Sequence, residues 1–383
     1  MNHRVDTISP CSYFSTRYSE AREKFLAATA SRGLDTQPCL HPGRGRDGET
    51  LALDSVLQPA GPGAPLLIIS SGCHGVEGFC GSALQTAVLS DKVTQALLRE
   101  TNVEILYLHA LNPHGFSWWR RVTHENVDLN RNFVDFRCEL PTNPGYHALA
   151  PLLLPRDWPP SLSNHLRLFG FIACHGMRAA QAALTSGQYD DPNGLFFGGT
   201  EQTWSQRNLR QLLRTHSCGR DRLAWLDIHT GLGPSGVAER ILAARADAAT
   251  LSRARKWWGN RVVVPLQGES SSAHVLGEMW QAAYDECPGA EYTGLIVEYG
   301  TVSRLRVMNA LRGDHWLWLN RHAPARLRTR IERDMLEAFD VNTPKWRRQV
   351  IEQGLDLVRS TIIGLAGAKC DGMDVGRLQP SID

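Results

Sequence analysis

The segment Pro65-Leu-Leu-Ile-Ile-Ser-Ser71 is a continuous apolar run that ends in two serines and is followed by Gly72. A run of this length without alternating polar residues is typical of a β-strand buried on both faces. Three further strands are predicted at residues 103–110, 222–229 and 294–299. Helical patterns lie between the strands, at 81–98, 202–213 and 244–257. Strands that alternate with helices predict an α/β fold with a mostly parallel sheet.

The rest of the chain predicts one large domain. No linker rich in Pro, Gly and Ser separates two regimes of composition along the 383 residues. We expect a domain over residues 1–345, with a loop-rich insertion around 141–200 that contains some helix at 162–183. Residues 346–383 predict a final helix and a polar tail. Near the N-terminus, the pattern predicts a helix at 19–30, a turn at 42–47 and a strand at 50–56.

The composition excludes several classes of protein. With 42% hydrophobic and 21% charged residues, the chain has the profile of a folded globular protein. A net charge of +2 is too balanced for a nucleic-acid-binding protein. No apolar run approaches the ~20 residues of a membrane-spanning helix, and no secretory signal is apparent. Nine scattered cysteines without a Cys-x-x-Cys pair fit a reducing compartment. We therefore expect a cytoplasmic protein with no nucleic-acid or membrane partner, and the oligomeric state stays open.

A segment dense in polar residues follows each predicted strand. These segments are Ser71–Gly78, Asn112–Gly115 with Asn126–Phe133, Asp227–Gly231 and Val297–Thr301. Ligands of open α/β sheets bind at the carboxyl ends of the strands. We therefore expect the four polar segments to converge on one place.

Four residues in these segments predict a metal site. His74 and Glu77 stand three positions apart, so they can face the same point on a turn. Catalytic zinc takes three protein ligands, and two His with one Glu is a standard set. His229 can supply the third ligand. Glu298 is then a carboxylate free to take a proton from a water molecule that the metal acidifies.

Two arginines near the second polar segment suit an anionic group. Arg121 and Arg131 offer planar guanidinium forks that match a carboxylate, or the oxyanion that forms on a scissile carbonyl.

Three rival signals carry less weight. The stretch from Gly231 to Gly236 matches the dinucleotide fingerprint G-x-G-x-x-G, but Pro234 inside it is unsuited to a phosphate-binding turn that opens a helix. The sequence has no G-x-S-x-G motif, which disfavours a serine hydrolase. Cys73 abuts His74, and we predict a small buried residue there rather than a nucleophile.

The motifs in combination resemble the zinc carboxypeptidase superfamily, which includes the aspartoacylase and succinylglutamate desuccinylase deacylases. The resemblance rests on Asn126-Val-Asp-Leu-Asn-Arg-Asn-Phe133 together with His74, Glu77, His229 and Glu298. The segments Ser71–Ser82, Asn126–Phe133, Leu226–Gly233 and Glu298–Thr301 more closely resemble an uncharacterised, largely bacterial branch of that superfamily. The resemblance covers roughly residues 15–330.

The resemblance implies a three-layer sandwich, in which helices enclose a mixed, mostly parallel central sheet. It also implies one zinc ion per chain, held by His74, Glu77 and His229. In that pattern Glu298 is the general base and then the general acid. Arg121 polarises the scissile carbonyl, although Arg120 is next door and stays an alternative.

Further roles follow from the same resemblance. Asn130 and Arg131 hold the carboxylate of the substrate, and Asp128 orients His74. The peptidases of the superfamily use a mobile tyrosine ahead of the catalytic glutamate. Tyr284 and Tyr292 lie nearer to the glutamate of this chain than that pattern requires, so neither is assigned.

We expect a zinc-dependent hydrolase of the metallocarboxypeptidase type, which cleaves an amide bond next to a free carboxylate in a small peptide. The alternative is a deacylase that acts on an N-acyl amino acid. A metal-binding or ligand-binding module with lost activity is the alternative outside enzymes. Retention of Glu298 beside all three expected ligands argues against such a module, and an oxidoreductase that uses the Gly231 loop is the most distant alternative.

Overall fold

The apolar run at 66–71 is a central strand of an eight-stranded sheet. A computed structural model describes residues 9–264 and 275–367. Its strands are β1 (Thr36–Arg44), β2 (Thr50–Gln58), β3 (Leu66–Ser71), β4 (Glu104–His109), β5 (Arg222–Gly231), β6 (Ala238–Leu242), β7 (Val262–Val263) and β8 (Glu291–Gly300). The order across the sheet is β1-β2-β4-β3-β5-β8-β6-β7.

The strands at the centre of the sheet are parallel, and antiparallel pairs join this centre to the outer strands on both sides. Strands β4, β3, β5 and β8 are neighbours that run in the same direction. On one side β2 runs antiparallel to β4, and on the other β6 runs antiparallel to β8. All side chains of β3 and β4 are buried, so other elements cover both faces of the sheet centre. The predicted mixed, mostly parallel sheet between helices is confirmed.

Thirteen α-helices flank the sheet within the described residues. They are α1 (Tyr18–Ser31), α2 (Gly78–Ser90), α3 (Lys92–Glu100), α4 (Pro113–Trp118), α5 (Pro144–Leu153), α6 (Leu162–His175), α7 (Met177–Thr185), α8 (Trp204–Ser217), α9 (Ala248–Trp258), α10 (Gln281–Glu286), α11 (Arg304–Leu319), α12 (Ala325–Phe339) and α13 (Pro344–Ala366). Three short 3-10 helices lie at Pro10–Tyr13, Gly75–Glu77 and Leu129–Arg131. Among the helices described, none is both long enough and apolar enough to cross a bilayer.

The helix predicted at 81–98 is two helices, α2 and α3. Asp91 lies between them with an extended backbone, and its carboxylate accepts a hydrogen bond from the backbone N–H of Thr94. An aspartate in this position caps the N-terminus of the second helix and favours a break. The helix predicted at 162–183 is likewise divided, at Gly176, where φ is +83°.

The turn predicted at 42–47 is wrong in its first part, because β1 continues to Arg44. The turn begins at Gly45, whose carbonyl accepts a hydrogen bond from the backbone N–H of Gly48. Strand β1 lies at the edge of the sheet and contains Pro38 and Pro42. Proline is tolerated on edge strands, since one side of the backbone there needs no partner.

The helix predicted after residue 345 is α13, and it contributes to the main core. Val350, Val358 and Ile362 are completely buried in the same apolar cluster as β3. The helix contacts α2, α9 and β5. The division of the chain at residue 345 stays a prediction, and residues 368–383 of the expected tail lie outside the described residues.

Candidate metal centre

The carboxyl ends of three neighbouring strands bring the predicted metal-site residues together. His74 and Glu77 follow β3, in a turn that leads into the 3-10 helix at Gly75–Glu77. His229 lies near the end of β5 and Glu298 near the end of β8, and the two are direct partners across these parallel strands. The sheet therefore brings together the polar segments that follow β3, β5 and β8, as expected.

The turn after β3 is held against the loop that carries the arginines. The backbone N–H of Gly75 donates to the carbonyl of Arg121 at 3.1 Å, and that of Val76 donates to the carbonyl of Arg120 at 2.9 Å. A Cβ atom on Gly75 would lie only 2.0 Å from the carbonyl carbon of Gly115. Only glycine permits this approach, which sets the two segments side by side.

Two imidazole nitrogens and one carboxylate, all able to ligate a metal, face one another at the centre. Nδ1 of His74 lies 2.9 Å from Oε1 of Glu77 and 3.1 Å from Nδ1 of His229. Nδ1 of His229 lies 3.0 Å from Oε2 of Glu77. Each of the three residues is at most 4% exposed. A cation bound between these three residues would be shielded from bulk water by the surrounding protein.

The outer nitrogens of the two imidazoles determine where their protons lie. Nε2 of His229 is 2.5 Å from Oδ2 of Asp227. Nε2 of His74 is 3.3 Å from Oδ1 of Asp128, in an ionic contact without good hydrogen-bond alignment. Carboxylates only accept hydrogen bonds, so Nε2 of His229 carries a hydrogen, and the neutral ring then keeps its lone pair at Nδ1. Asp128 favours the same tautomer in His74, because a hydrogen on its Nε2 faces a carboxylate.

Two nitrogen lone pairs and one carboxylate thus converge without a proton among them when both rings are neutral. Such a group repels itself unless a cation or a proton lies inside it. Two imidazoles and a carboxylate, each imidazole backed by a second carboxylate, suit zinc. The residues present therefore fit the metal that the sequence predicts.

In the absence of a metal, a proton takes the cation's place. Burial lowers the pKa of His229, but the carboxylates of Asp227 and Glu77 outweigh burial and hold this pKa well above its ordinary value. Burial also raises the pKa of Glu77, but His74 and His229 hold it well below the usual range of a glutamate. Metal binding is therefore expected to displace a proton.

Glu298 lies beside the three ligand residues. Its Oε1 accepts a hydrogen bond from the backbone N–H of Leu232 at 2.8 Å. Burial and then the negative charge of Glu77 raise the pKa of Glu298 to about 7. A carboxyl group with such a pKa can both take and return a proton near neutral pH.

The structure distinguishes the two adjacent arginines. Nε of Arg121 donates to Oδ2 of Asp128 at 2.9 Å, and its Nη1 lies 3.4 Å from Oε1 of Glu77. Arg120 instead donates through Nε to Asp314 and through Nη2 to Asn126. Arg121 is therefore the one that reaches the metal centre.

Asp128 connects this arginine to a ligand. Its carboxylate is completely buried between His74 and Arg121, and it also accepts a hydrogen bond from the backbone N–H of Asn130 at 3.1 Å. Burial raises the pKa of Asp128, but Arg121 and Arg131 outweigh burial and hold it well below its usual value. Asp128 lies where an orienting role toward His74 requires it.

Arg131 and Asn130 bond to the protein itself. Arg131 donates through Nε to the carbonyl of Thr185 at 2.9 Å and through Nη1 to the carbonyl of Asn130 at 3.1 Å. Oδ1 of Asn130 accepts a hydrogen bond from the backbone N–H of Met279 at 2.8 Å. Their role as ligands of a substrate carboxylate stays a prediction, and it requires Arg131 to share or break these bonds.

A second group of ligand-type residues lies behind the first and consists of Cys73, Asp227 and His229. Cys73 is completely buried, as predicted, and burial raises the pKa of its thiol well above the ordinary value. A protonated thiol is a poor metal ligand. Cys73 is therefore not expected to ligate a metal.

Asp227 is a residue that the sequence analysis did not single out. It lies two positions before His229 on β5, and alternate residues of a strand face the same side. The Asp-x-His spacing within a predicted strand was therefore a usable signal.

Comparison with known proteins identifies the family. A family model described as "Protein of unknown function (DUF2817)" matches residues 14–353. The chain belongs to this family. The match confirms that the chain belongs to an uncharacterised family, as the motifs indicated. No curated protein matches the sequence.

Several solved structures are similar to this member of the family. A metallo-carboxypeptidase from Burkholderia cenocepacia is 10% identical with a TM-score of 0.43, and the match covers 92% of this chain and 70% of that one. A carboxypeptidase A from Helicoverpa armigera is 12% identical with a TM-score of 0.41, covering 89% and 73%. An aspartoacylase family protein from Mesorhizobium loti is 16% identical with a TM-score of 0.30, covering 70% and 61%.

Proposed function

We propose that this protein is a zinc-dependent hydrolase that cleaves an amide bond next to a free carboxylate. One observation carries the proposal. His74, Glu77 and His229 present two imidazole nitrogens and a carboxylate with mutual contacts of 2.9 to 3.1 Å, and the additional carboxylate of Glu298 lies beside them. When bound, zinc supplies a Lewis acid that polarises a carbonyl and lowers the pKa of water.

Glu298 supplies the proton transfers in this proposal. Its carboxylate takes a proton from the attacking water and then returns that proton to the leaving amine. The hydrogen bond from Leu232 to Oε1 fixes the orientation of the carboxylate. The raised pKa of about 7 supports both steps, because neither protonation state is strongly favoured near neutral pH.

Arg121 supplies positive charge next to the ligands. Asp128 holds its guanidinium at 2.9 Å, so the group is oriented before a substrate binds. A fixed donor of this kind stabilises the negative charge that develops on the oxygen of a scissile carbonyl. Pairing with Asp128 leaves the charge of Arg121 in place, because a guanidinium does not lose its proton in proteins.

The substrate class is a small peptide or an N-acyl amino acid, since both carry a carboxylate close to an amide bond. The peptide corresponds to metallocarboxypeptidase activity, and the N-acyl amino acid corresponds to the deacylase alternative. A module that only binds metal has no use for the general base Glu298, which favours an enzyme.

The test is Glu298→Gln. We expect loss of turnover by about 10²–10⁴-fold or more, because the amide cannot act as the base, while zinc content stays unchanged. The assay is a panel of peptides with free C-termini and of N-acyl amino acids, which also separates the two hydrolase activities. Turnover by Glu298→Gln at the wild-type rate would remove Glu298 from the mechanism.

A further inference from the structure

Three buried side chains behind the metal centre form a hydrogen-bonded network that ends on His229. Nε1 of Trp225 donates to Oγ of Ser70 at 2.7 Å. Oγ of Ser70 donates to Oδ1 of Asp227 at 2.5 Å. The other carboxylate oxygen of Asp227, Oδ2, lies 2.5 Å from Nε2 of His229. We refer to Trp225, Ser70 and Asp227 as the Asp227 network.

Each hydrogen bond in this network has one possible direction. An indole N–H only donates, so the hydroxyl of Ser70 accepts a hydrogen bond from Trp225. The hydroxyl then donates its single hydrogen to Asp227. Oδ1 of Asp227 accepts this hydrogen, and its Oδ2 faces Nε2 of His229. Nε2 of His229 must then be the donor, and the lone pair of the neutral ring lies at Nδ1, the atom that faces His74 and Glu77.

The sheet places these residues next to one another. Strands β3 and β5 are parallel neighbours, and Ser70 is the direct partner of Asp227 in their register. Trp225 and Asp227 are two positions apart on β5, so they lie on the same face. Ser70 is completely buried, and Trp225 and Asp227 are 2% and 6% exposed. Hydrogen bonds in such an environment are electrostatically stronger than bonds exposed to water.

We propose that Ser70, Asp227 and Trp225 are positioning residues that fix the tautomer and ring orientation of His229 and thereby set the metal affinity of the site. This inference rests on the metal centre proposed above. Hydrogen-bond partners behind a metal-ligating histidine are typically worth 10- to 100-fold in metal affinity. We expect the network to contribute on that scale.

Ser71 offers a matched control for Ser70. It is the next residue of β3, it is equally buried, and its side chain lies on the opposite face of the strand. Its hydroxyl donates to Oε1 of Gln85 at 2.9 Å and accepts from the backbone N–H of Ala110 at 3.2 Å. Ser71→Ala therefore removes a buried hydroxyl from the same strand without removing a bond to Asp227.

The experiment measures zinc affinity of the full-length protein by competition with a chromophoric chelator. We expect Ser70→Ala to weaken zinc binding by about 10- to 100-fold and Ser71→Ala to leave it close to the wild-type value. Trp225→Phe removes only the outermost donor and should have a smaller effect. Asp227→Asn, which is isosteric, should weaken binding at least as much as Ser70→Ala, because an amide can donate to Nε2 and favour the wrong tautomer.

A second measurement separates positioning from stability. The visible spectrum of bound Co²⁺ reports ligand geometry, and we expect it to change in Ser70→Ala and not in Ser71→Ala. If Ser70→Ala fails to fold, Asp227→Asn gives the same two measurements without a change of volume.

Equal zinc affinities and equal Co²⁺ spectra for Ser70→Ala and Ser71→Ala would overturn the inference and leave the metal centre intact. A wild-type protein that binds no zinc would instead overturn the metal centre, and the positioning role with it. The two failures are therefore distinguishable.

Discussion

Arg120 and Arg121 are sequence neighbours whose side chains contact different parts of the molecule. Arg121 bonds to Asp128 next to the metal ligands, whereas Arg120 pairs with Asp314 on α11. A lysine keeps the charge at either position but loses the planar fork that makes paired hydrogen bonds. The two Arg→Lys variants therefore separate a role in the reaction from a role in packing.

We expect Arg121→Lys to lower kcat by about 10²–10³-fold, the usual cost of losing a donor to a developing oxyanion. Arg120→Lys should lower the unfolding temperature and leave kcat of the folded enzyme near the wild-type value. Steady-state kinetics on the best substrate, with thermal unfolding of both variants, checks this prediction. Equal losses of kcat in the two variants would contradict the assignment of Arg121.

The placement of single side chains could be predicted from the sequence in some cases only. His74, Glu77, His229 and Glu298 follow from strand ends, because parallel strands deliver their carboxyl ends to one edge. The bond of Arg131 to the carbonyl of Thr185 joins residues 54 positions apart, in a region where no sequence pattern fixes the register. Long-range bonds of this kind depend on tertiary packing.

Among the helices and strands, too, some could be predicted from the sequence and others could not. The central strands β3, β4, β5 and β8 were predictable because burial on both faces requires continuous apolar runs. The outer strands β1, β6 and β7 have mixed exposure, so their sequences contain neither a long run nor a clear alternation. The break between α2 and α3 was missed because apolar periodicity continues past the capping residue Asp91.

The junction between α12 and α13 contains a carboxyl group whose charged form is disfavoured by burial. Asp340 is 8% exposed, its Oδ1 has no hydrogen-bond partner in the described part of the chain, and Arg347 is 3.7 Å away from its other oxygen. Burial raises the pKa of Asp340 to about 6 from the ordinary value of 3.8, against the attraction of Arg347. The folded state therefore holds a proton that the unfolded state has already released between these two pH values.

Stability that depends on this proton is present below about pH 4 and is lost as the pH rises to about 6. Asp340→Asn mimics the neutral carboxyl group. We expect it to raise the free energy of unfolding by up to about 3 kcal/mol near pH 8 and to have little effect near pH 3. Urea unfolding of both proteins at the two pH values is the measurement, and a destabilised variant near pH 8 would contradict the prediction.

Two buried histidines make the stability of the folded molecule depend on pH in the acid range. His109 is completely buried, with Nε2 at 2.9 Å from Oγ of Ser82 and its ring stacked on Phe25. His315 is buried as well, and its Nε2 lies 2.6 Å from the carbonyl oxygen of Asn193. Burial lowers the pKa of each imidazole to about 4.

In the unfolded chain each of these two histidines takes up a proton at about pH 6.5. In the folded protein each takes up its proton only near pH 4. Stability is therefore present above pH 6.5 and is lost as the pH falls through this window, by up to about 3 kcal/mol for each histidine. Glu298 and Asp340 contribute with the opposite sign, because their pKa values are raised in the folded protein. We therefore expect the urea midpoint of a variant at one of these histidines to fall less than that of the wild type between pH 7 and pH 4.5, and equal changes would contradict the prediction.

His109→Gln provides the matched test, because glutamine does not titrate. The variant should lose less stability than the wild type over the same interval, even if its stability at neutral pH is lower. His147→Gln, at an exposed histidine paired with Asp190, serves as the control and should retain the wild-type pH dependence.

Anomalous diffraction at the zinc absorption edge, from crystals of the zinc-loaded protein, tests the metal centre most directly. We expect one strong peak within about 2.0 to 2.2 Å of Nδ1 of His74, Nδ1 of His229 and a carboxylate oxygen of Glu77. Glu298 should lie outside the ligand set. A map without a peak among these three residues, or with Glu298 as a ligand in place of Glu77, would contradict the proposed metal centre.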